Sequence, residues 1–445
     1  MKSSIGMHIG SSFIETTQNK THHRIYFPKL GFKNSVKQIL QNYSIDPNTD
    51  LIISLEYLEK ILFTRLGGSV AQLVTRGFED FLLLKEASYK TITHLGNPDL
   101  IFPIKERLYA DGSIHTPLNL EDLEFIEAKF TMMEVKKVAI HFLHAKTNPT
   151  HQNQVADYFK NKGYEVYLPS TTPLVDEGAR WHRNLLNASL KGSFDEIKKE
   201  LTEALQDRMQ PHQFYFSSAK GLTFQDVAAQ ISSSLLGSYF NLKTNAKNFS
   251  TNDVLYLGME KFFFIPKNVN LNLNWQSPWG LLELEHPQIK VLPFNIASNL
   301  KIDVFQEITI EKKLGVFDPG PIAFGRGLNL TLLDLWIGEL IDLKIDGLTD
   351  NIKPQMMSKI TNTLMVLAKM AEKSSYSPTE LSQLLKKQVI EEIWIQIAPW
   401  LESENFVIAG PLAPLVTHQF QSFSKKIKFI NQDYWESSQL NSGSV

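Results

Sequence analysis

The residues with the clearest potential for chemistry lie in a glycine- and proline-rich segment, Leu314–Leu340. Asp318 and Arg326 stand there among several glycines and prolines. Glycine permits positive φ and a close backbone approach to a bound group, while proline fixes its own φ. A rigid loop that carries an arginine in front of a helix N-terminus suits an anion or a phosphoester. The alternative is a tight connection into a core helix, with Arg326 exposed.

The segment after this loop predicts a helix. Asn329 and Thr331 are both candidate caps, because their side-chain oxygens can accept from the free amides of a first turn. The apolar positions follow helical spacing and predict one buried face. They are Leu332, Leu333, Leu335, Trp336 and Leu340.

A second candidate site lies at the N-terminus, where residues 4–18 predict a strand, a turn and a second strand. Gly10, Ser11 and Ser12 occupy the turn. Small residues at a hairpin tip can cradle a phosphate with backbone N–H groups. An ordinary hairpin is the alternative.

Composition excludes several classes of protein. The 445 residues are 43% hydrophobic and 21% charged, which is typical of a soluble globular protein with two or three domains. The net charge of -2 gives no field for nucleic acid or an anionic membrane. The absence of cysteine excludes disulfides, thiol catalysis and thiolate metal sites. Without a signal-peptide pattern or a run of about 18–20 apolar residues, we expect a cytoplasmic protein.

One α/β unit is clear in the sequence. Val138–Leu143 predicts a buried strand, Pro149–Lys162 a helix and Tyr164–Leu168 the next strand. Such a crossover implies parallel pairing in an open sheet covered by helices.

Three histidines near this unit, His141, His144 and His151, raise a metal hypothesis. They lie around a loop and lack a fourth ligand, so we expect no metal site.

Several segments together resemble the hydantoinase A/5-oxoprolinase family. They occur in family order and cover roughly residues 5–414, with a shortened middle between Ala188 and Leu314. The segments are Val74–Asp80, Glu106–Gly112 with Thr116–Leu118, Phe142–His151, Glu177 and Arg180 with Asn187–Ala188, and Asp318–Pro321 with Phe324–Gly327 and Asp334.

The resemblance implies an α/β fold with two lobes, similar to actin, Hsp70 and sugar kinases, in which helices cover mixed sheets. It implies ATP and Mg²⁺ as cofactors, a cyclic amide such as 5-oxoproline or a hydantoin as substrate, and a hydantoinase B-like subunit as partner. The expected domains are residues 1–190 and a shortened second domain, residues 191–445, with a polar tail from about residue 436.

The resemblance also suggests site residues. Those that match the nucleotide loops are Gly10, Ser11, Ser12, Gly258 and Gly410. Those that match catalytic positions are Asp318, Arg326 and Glu15. For Arg326, pairing with Asp318 or Asp334 to hold the loop is the alternative.

Four other charged residues of the matching segments could have structural roles instead of roles in binding or catalysis. Arg76 and Arg107 could be ion-pair partners. Glu177 and Arg180 have helical i, i+3 spacing, for which a surface salt bridge is the simplest explanation.

All three nucleotide loops depart from the family pattern. The first aspartate of the first loop, which would organise Mg²⁺, is His8 here, and a neutral imidazole cannot replace a carboxylate towards hydrated Mg²⁺. The second loop keeps Gly258 beside the bulky Met259 and Phe262, and the third keeps Gly410 alone of three glycines.

Two functions therefore remain open. The chain could be an A-type subunit of an ATP-dependent cyclic-amide hydrolase, because the resemblance spans nearly the whole sequence. It could instead be a non-catalytic scaffold of the same fold that stabilises a partner, because all three loops are altered.

Overall fold

The computed structural model describes twenty stretches of the chain. They are residues 4–19, 21–64, 69–88, 97–170, 177–217, 223–224, 231, 253–266, 271–272, 275–277, 280–282, 286–287, 290–294, 296–310, 321–325, 327, 329–343, 352–401, 406–423 and 428–429.

The strands and helices of the described residues are as follows. The strands are β1 (Ser4–Ile9), β2 (Phe13–Gln18), β3 (Thr21–Tyr26), β4 (Asp50–Ser54), β5 (Val70–Thr75), β6 (Ile101–Ile104), β7 (Arg107–Leu108), β8 (Ile114–Thr116), β9 (Lys137–His141), β10 (Glu165–Tyr167), β11 (Phe214–Ser217), β12 (Thr223–Phe224), β13 (Asp253–Leu257), β14 (Lys261–Ile265), β15 (Leu271–Asn272), β16 (Trp275–Ser277), β17 (Gly280–Leu282), β18 (His286–Pro287), β19 (Lys290–Pro293), β20 (Leu300–Ile302), β21 (Ile308–Ile310), β22 (Phe406–Ala409) and β23 (Lys428–Phe429). The helices are α1 (Phe32–Leu40), α2 (Tyr57–Thr64), α3 (Phe81–Ser88), α4 (Glu121–Met132), α5 (Thr150–Asn161), α6 (Glu177–Leu205), α7 (Leu332–Leu335), α8 (Ile337–Leu343), α9 (Met357–Met370), α10 (Pro378–Ile397) and α11 (Ala413–Phe423).

The first sheet is mixed, with the strand order β12-β11-β4-β1-β2-β3 in the described chain. Strands β1, β2 and β3 form an antiparallel meander, and β4 and β11 continue the sheet in parallel with β1. Ile5, Met7 and Ile9 alternate along β1 and point into one core, which α1, α2 and α6 cover. The opposite face of β1 carries His8, which therefore lies away from that core.

The second sheet is parallel and has the order β10-β9-β5-β6 within the described residues. It confirms the predicted α/β unit, since β9, α5 and β10 follow one another and β9 pairs with β10 in parallel. Helix α6, about 43 Å long from its 29 residues, packs on this sheet through Trp181 and Leu185. Further along, Phe194 of the same helix enters the core of the first sheet. One helix thus ties the two sheets together.

The third sheet has the order β19-β14-β13-β22-β23 in the part of the chain that is described. Its core contains Leu255, Leu257 and Phe262 together with the apolar faces of α7, α9, α10 and α11. The predicted apolar face after the glycine loop is confirmed: all five of its positions are buried. Thr331 is the cap of α7, and its side chain accepts from the amide of Asp334.

The first and third sheets share one connectivity, although the sequence contains no repeat of fixed period. In each, a hairpin and a third antiparallel strand are followed by two strands parallel to the first. Strand β13 corresponds to β1, β14 to β2 and β22 to β4. The turn at Gly258 is therefore the counterpart of the turn at Gly10.

The predicted α/β class, with mixed sheets and covering helices, is confirmed. The domain division between residues 190 and 191 stays a prediction. That division falls inside α6, and β11, which follows α6, pairs with β4 of the first sheet.

Candidate functional site

The two corresponding hairpin turns have the same internal hydrogen bond. The amide of Gly10 donates to the carbonyl of Phe13 at 2.9 Å, and the amide of Gly258 donates to the carbonyl of Lys261 at 3.0 Å. The first turn directs successive backbone N–H groups outwards, which is the arrangement of an anion-binding nest. We call residues Gly10–Phe13 the amide cradle.

The amide cradle holds a carboxylate of the chain itself, that of Glu260 from the second turn. The Ser11 amide donates to Oε2 of Glu260 at 2.7 Å, and the Phe13 amide donates to Oε1 at 3.2 Å. The Ser12 amide also donates to Oε1. A Cβ on Gly10 would overlap this carboxylate, so only glycine leaves room for it. The predicted binding residues Gly10, Ser11 and Ser12 thus form an anion site with an internal occupant.

The neighbouring residue, Lys261, makes the opposite kind of contact with the first sheet. Its buried ammonium lies 2.7 Å from Oε1 of Glu56 and also contacts the carboxylate of Glu59. Glu56 and Glu59 lie just after β4, which neighbours β1. Burial raises the pKa of Glu59, and Glu56 adds to this rise while Lys261 opposes it. The tip of the β13–β14 hairpin therefore inserts one anion and one cation into complementary surroundings.

His8 stands where the resemblance leads us to expect a magnesium-organising aspartate. Its Nδ1 lies 3.4 Å from Oγ of Ser54, and its Nε2 lies 3.8 Å from Oε2 of Glu56. Mg²⁺ prefers oxygen ligands, and the nearby carboxylate of Glu56 is paired with Lys261. With Glu260 in the cradle as well, a magnesium–phosphate group does not fit this arrangement of side chains.

Gly410 belongs to the third predicted loop and contacts the second one. It has φ +103°, and an added Cβ would lie 2.6 Å from the carbonyl oxygen of Leu257. The amide of Leu412 donates to that same carbonyl at 3.2 Å. Gly410 therefore lies directly against the strand that leads to Gly258, and the two predicted residues are brought together.

Glu15 lies in a row of side chains across the first sheet. It is opposite His8 on β1 and opposite Arg24 on β3. Its Oε1 accepts from Nε of Arg24 at 2.6 Å, and both side chains are buried. The predicted catalytic carboxylate thus forms a buried ion pair. Its catalytic role stays a prediction.

Asp318 and Arg326, the other two predicted catalytic residues, lie outside the described residues, and their roles stay predictions. The adjoining part of the loop is held by Asp334. Its carboxylate accepts from the amides of Ile322 (3.2 Å), Ala323 (2.8 Å) and Thr331 (2.8 Å). Burial raises the pKa of Asp334, while these hydrogen bonds act in the opposite direction.

Several segments that carry the family resemblance are connected by hydrogen bonds at one edge of the second sheet. Thr75, at the end of β5, donates to the buried carboxylate of Glu106 and accepts from the amide of Leu143 at 2.9 Å. Nδ1 of His151 lies 3.0 Å from the other oxygen of Glu106. These contacts join the ends of β5, β6 and β9 to the first turn of α5.

Each of the four other charged residues of these segments has a contact with another side chain. Nη2 of Arg76 lies 3.8 Å from Asp122, and the guanidinium of Arg107 lies 5.5 Å from the ring centre of Phe78. Arg180 pairs with Glu177 at 2.9 Å, as its helical spacing predicts. The side chain of Arg180 is only 4% exposed, so this salt bridge is not the surface pair that we expected.

Two of the three histidines, His141 and His151, have other partners in the structure. Among the residues that the structure describes, no group of three side chains could hold a metal ion. His141 stacks on Trp181, and its Nε2 accepts from Nδ2 of Asn184 at 3.1 Å. His151 is paired with Glu106.

Sequence reasoning missed Glu260 and Lys261 as functional residues. The sequence signal for them was a charged pair inside an otherwise apolar and aromatic stretch, beginning two residues after Gly258. The partner loop lies 249 residues away along the chain. Only the correspondence between the turn at Gly258 and the turn at Gly10 could have suggested that Glu260 contacts the cradle.

The mixed sheets, the helices that cover them and the paired glycine turns define the class of fold, which is α/β. Two solved structures share this fold. One is nucleotide-free acetone carboxylase, from work on ATP-dependent acetone carboxylation, with a TM-score of 0.76 and 14% identity over 94% of this chain and 66% of that one. The other is the ATP-dependent caprolactamase of Pseudomonas jessenii, with a TM-score of 0.63 and 18% identity over 94% and 67%.

The sequence comparisons show which proteins this chain is similar to. Residues 32–163 match the hydantoinase/oxoprolinase N-terminal region. The chain is 25% identical over 314 residues to caprolactamase subunit alpha of Pseudomonas jessenii, covering 63% of this chain and 44% of that protein. It is 26% identical over 163 residues to an uncharacterised protein of Methanocaldococcus jannaschii, covering 34% and 24%. The matched N-terminal region and these relatives connect the chain with the hydantoinase/oxoprolinase family. The chain spans less than half the length of these two relatives.

None of the described helices is long and apolar enough to cross a lipid bilayer.

Proposed function

We propose that this chain is an A-type subunit of the hydantoinase/oxoprolinase family that does not turn over ATP in the arrangement seen here. It acts as a scaffold for a hydantoinase B-like subunit. The observation that carries the proposal is the carboxylate of Glu260 inside the amide cradle. A phosphate would need the same three N–H groups.

The energetics of this contact favour a closed site. Hydrogen bonds to a charged group contribute roughly 1.5–3 kcal/mol each, and the cradle supplies three to Glu260. A nucleotide must displace this carboxylate, and its phosphates would also lack the aspartate that His8 replaces. Both effects weaken nucleotide binding.

The partner is proposed from a relative. The protein of Pseudomonas jessenii is named as an alpha subunit, which implies at least one other kind of subunit in that enzyme. The second sheet, within the matched region, keeps its interlocked contacts around Glu106. An intact scaffold with a closed cradle suits a role in assembly. A cytoplasmic location stays part of this proposal.

The second candidate is ATP-dependent hydrolysis of a cyclic amide. It is favoured by the cradle itself, which still binds an anion through backbone N–H groups. In this case Asp318, Arg326 and Glu15 would be the catalytic residues, and the cradle with Gly258 and Gly410 would bind ATP with Mg²⁺.

Calorimetric titration with Mg-ATP and a coupled ATPase assay test the proposal. We expect no binding below millimolar concentration and no turnover, with the chain alone or with a co-expressed hydantoinase B-like subunit. We also expect the two proteins to elute together, with the mass of a complex, from a size-exclusion column. Micromolar Mg-ATP binding with turnover would overturn the proposal in favour of the second candidate, and separate elution would refute the scaffold role.

A further inference from the structure

The charges at the tip of the β13–β14 hairpin match their surroundings at two adjacent points. Glu260 enters the amide cradle, and Lys261 lies between Glu56 and Glu59. The surroundings are far from the hairpin tip in sequence: Ser11 of the cradle is 249 residues from Glu260, and Glu59 is 202 residues from Lys261. A magnesium–phosphate group carries the same two charges, an anion beside a cation.

Stability alone does not explain this pair. Burying charges is costly because they lose their hydration, and well-packed apolar residues often stabilise a fold as well or better. Glu260 and Lys261 are both buried, and the residues on either side of them, Met259, Phe262 and Phe263, are buried and apolar. The charged pair therefore calls for another explanation.

We propose that Glu260 and Lys261 form an intramolecular latch that occupies a phosphate-binding site and excludes phosphate-bearing ligands from it. This inference rests on the proposed function, because it names the regulation of the same cradle. The latch holds the two corresponding turns together, and a ligand phosphate competes with Glu260 for the amides of Ser11, Ser12 and Phe13.

The competition between Glu260 and a ligand phosphate can be measured as a change in the apparent dissociation constant of the ligand. When a site is open for only a fraction of the time, the apparent dissociation constant is the intrinsic one divided by that fraction. An intramolecular carboxylate has an effective concentration in the millimolar range or above, so it competes well with a free ligand. Removing Glu260 should therefore strengthen the binding of a phosphate-bearing ligand at least tenfold.

The experiment is a calorimetric titration of the full chain with inorganic pyrophosphate, with and without Mg²⁺. We expect Glu260→Ala to bind at least tenfold more tightly than the unchanged chain. Glu307→Ala is the matched control: it removes an exposed glutamate that pairs with Lys373 instead of with the cradle, and it should bind as the unchanged chain does. Equal affinity of Glu260→Ala and the control would overturn the latch.

A second pair of variants locates the binding. In Glu260→Ala combined with Gly10→Ala, the new Cβ stands where the carboxylate stood, so the gained affinity should disappear. If the gain persists in this double variant, pyrophosphate binds elsewhere and the proposal is wrong. If Glu260→Ala does not fold, Glu260→Gln takes its place in the test. This variant keeps the volume of the side chain but not its charge, and it should still bind pyrophosphate several-fold more tightly than the unchanged chain does.

Hydrogen exchange gives an independent readout. The amides of Ser11, Ser12 and Phe13 should exchange faster in Glu260→Ala and slow down when pyrophosphate is added. Unchanged exchange in the variant would contradict the latch. The outcomes also separate the two proposals: ATP turnover by the unchanged chain refutes the proposed function, whereas equal affinities with and without Glu260 refute the latch alone.

Discussion

The α-carbon of Gly410 lies so close to Leu257 that an added Cβ would be 2.6 Å from the Leu257 carbonyl oxygen and 2.9 Å from its carbonyl carbon. The neighbouring atoms belong to the backbone of a central strand, which cannot move aside as a flexible side chain can. Gly410 also has φ +103°, which side chains other than glycine rarely adopt. The glycine of the third loop is thus required by the packing of the third sheet, whether or not a nucleotide binds.

Replacing Gly410 by alanine should therefore lower the free energy of unfolding by about 3 kcal/mol or more, from backbone strain and overpacking together. Chemical denaturation measures this change. Gly163→Ala is the control, because Gly163 also has positive φ but no atom within 4 Å of its added Cβ. It should lose only about 1–2 kcal/mol. Similar losses for the two variants would show that the contact with Leu257 is unimportant.

The second prediction concerns the buried ion pair that Glu15, the predicted catalytic carboxylate, forms with Arg24. Glu15→Gln should lower the free energy of unfolding by about 3–5 kcal/mol, because it leaves the buried guanidinium of Arg24 without its carboxylate. Replacing both residues by apolar side chains of similar volume, as in Glu15→Met with Arg24→Leu, should restore most of the stability. A Glu15→Gln variant as stable as the unchanged chain would favour a catalytic rather than a structural role.

Local signals allowed much of the fold to be predicted. Alternating apolar residues and a glycine turn gave β1 and β2, and the sequence from Val138 to Leu168 gave a parallel unit. Thr331 was one of two candidate caps, and its side chain does cap α7. In each case the residues that determine the element lie within about thirty positions of one another. The local sequence pattern therefore predicts the element without knowledge of tertiary contacts.

The candidate site was less predictable, because its decisive contacts are long-range. The cradle was foreseen from Gly10, Ser11 and Ser12, but its occupant lies 249 residues away from Ser11. The ion pair of Glu15 depends on the register of β2 and β3 rather than on any motif. Spacing along the chain shows which residues could do chemistry, and only the packing shows which of them already have partners.

Asp334 provides a third prediction. Both of its carboxylate oxygens accept hydrogen bonds, so in Asp334→Asn the amide group must face at least one N–H donor. We expect a loss of about 2–4 kcal/mol in the free energy of unfolding. Asp303→Asn is the control, since Oδ1 alone accepts from the amides of Phe305 and Glu307 and an asparagine oxygen can replace it. Equal effects of the two substitutions would contradict the bridging role of Asp334.

His141 gives a prediction on pH. Burial, with His182 and Arg180 nearby, lowers the pKa of His141 from 6.5 to about 3, so the folded chain keeps the ring neutral where the unfolded chain protonates it. Its contribution to stability is complete above pH 6.5 and is lost progressively as the pH falls towards 3. Between pH 7 and pH 5 the loss is about 2 kcal/mol.

His141→Gln, which keeps a hydrogen-bond acceptor, should lose about 2 kcal/mol less over this interval. Asn184→Ala removes the donor to the ring but keeps the imidazole, so it should retain the original pH dependence. Denaturant unfolding at the two pH values measures each variant, and identical pH dependence with and without His141 would show that another group is responsible for the acid sensitivity.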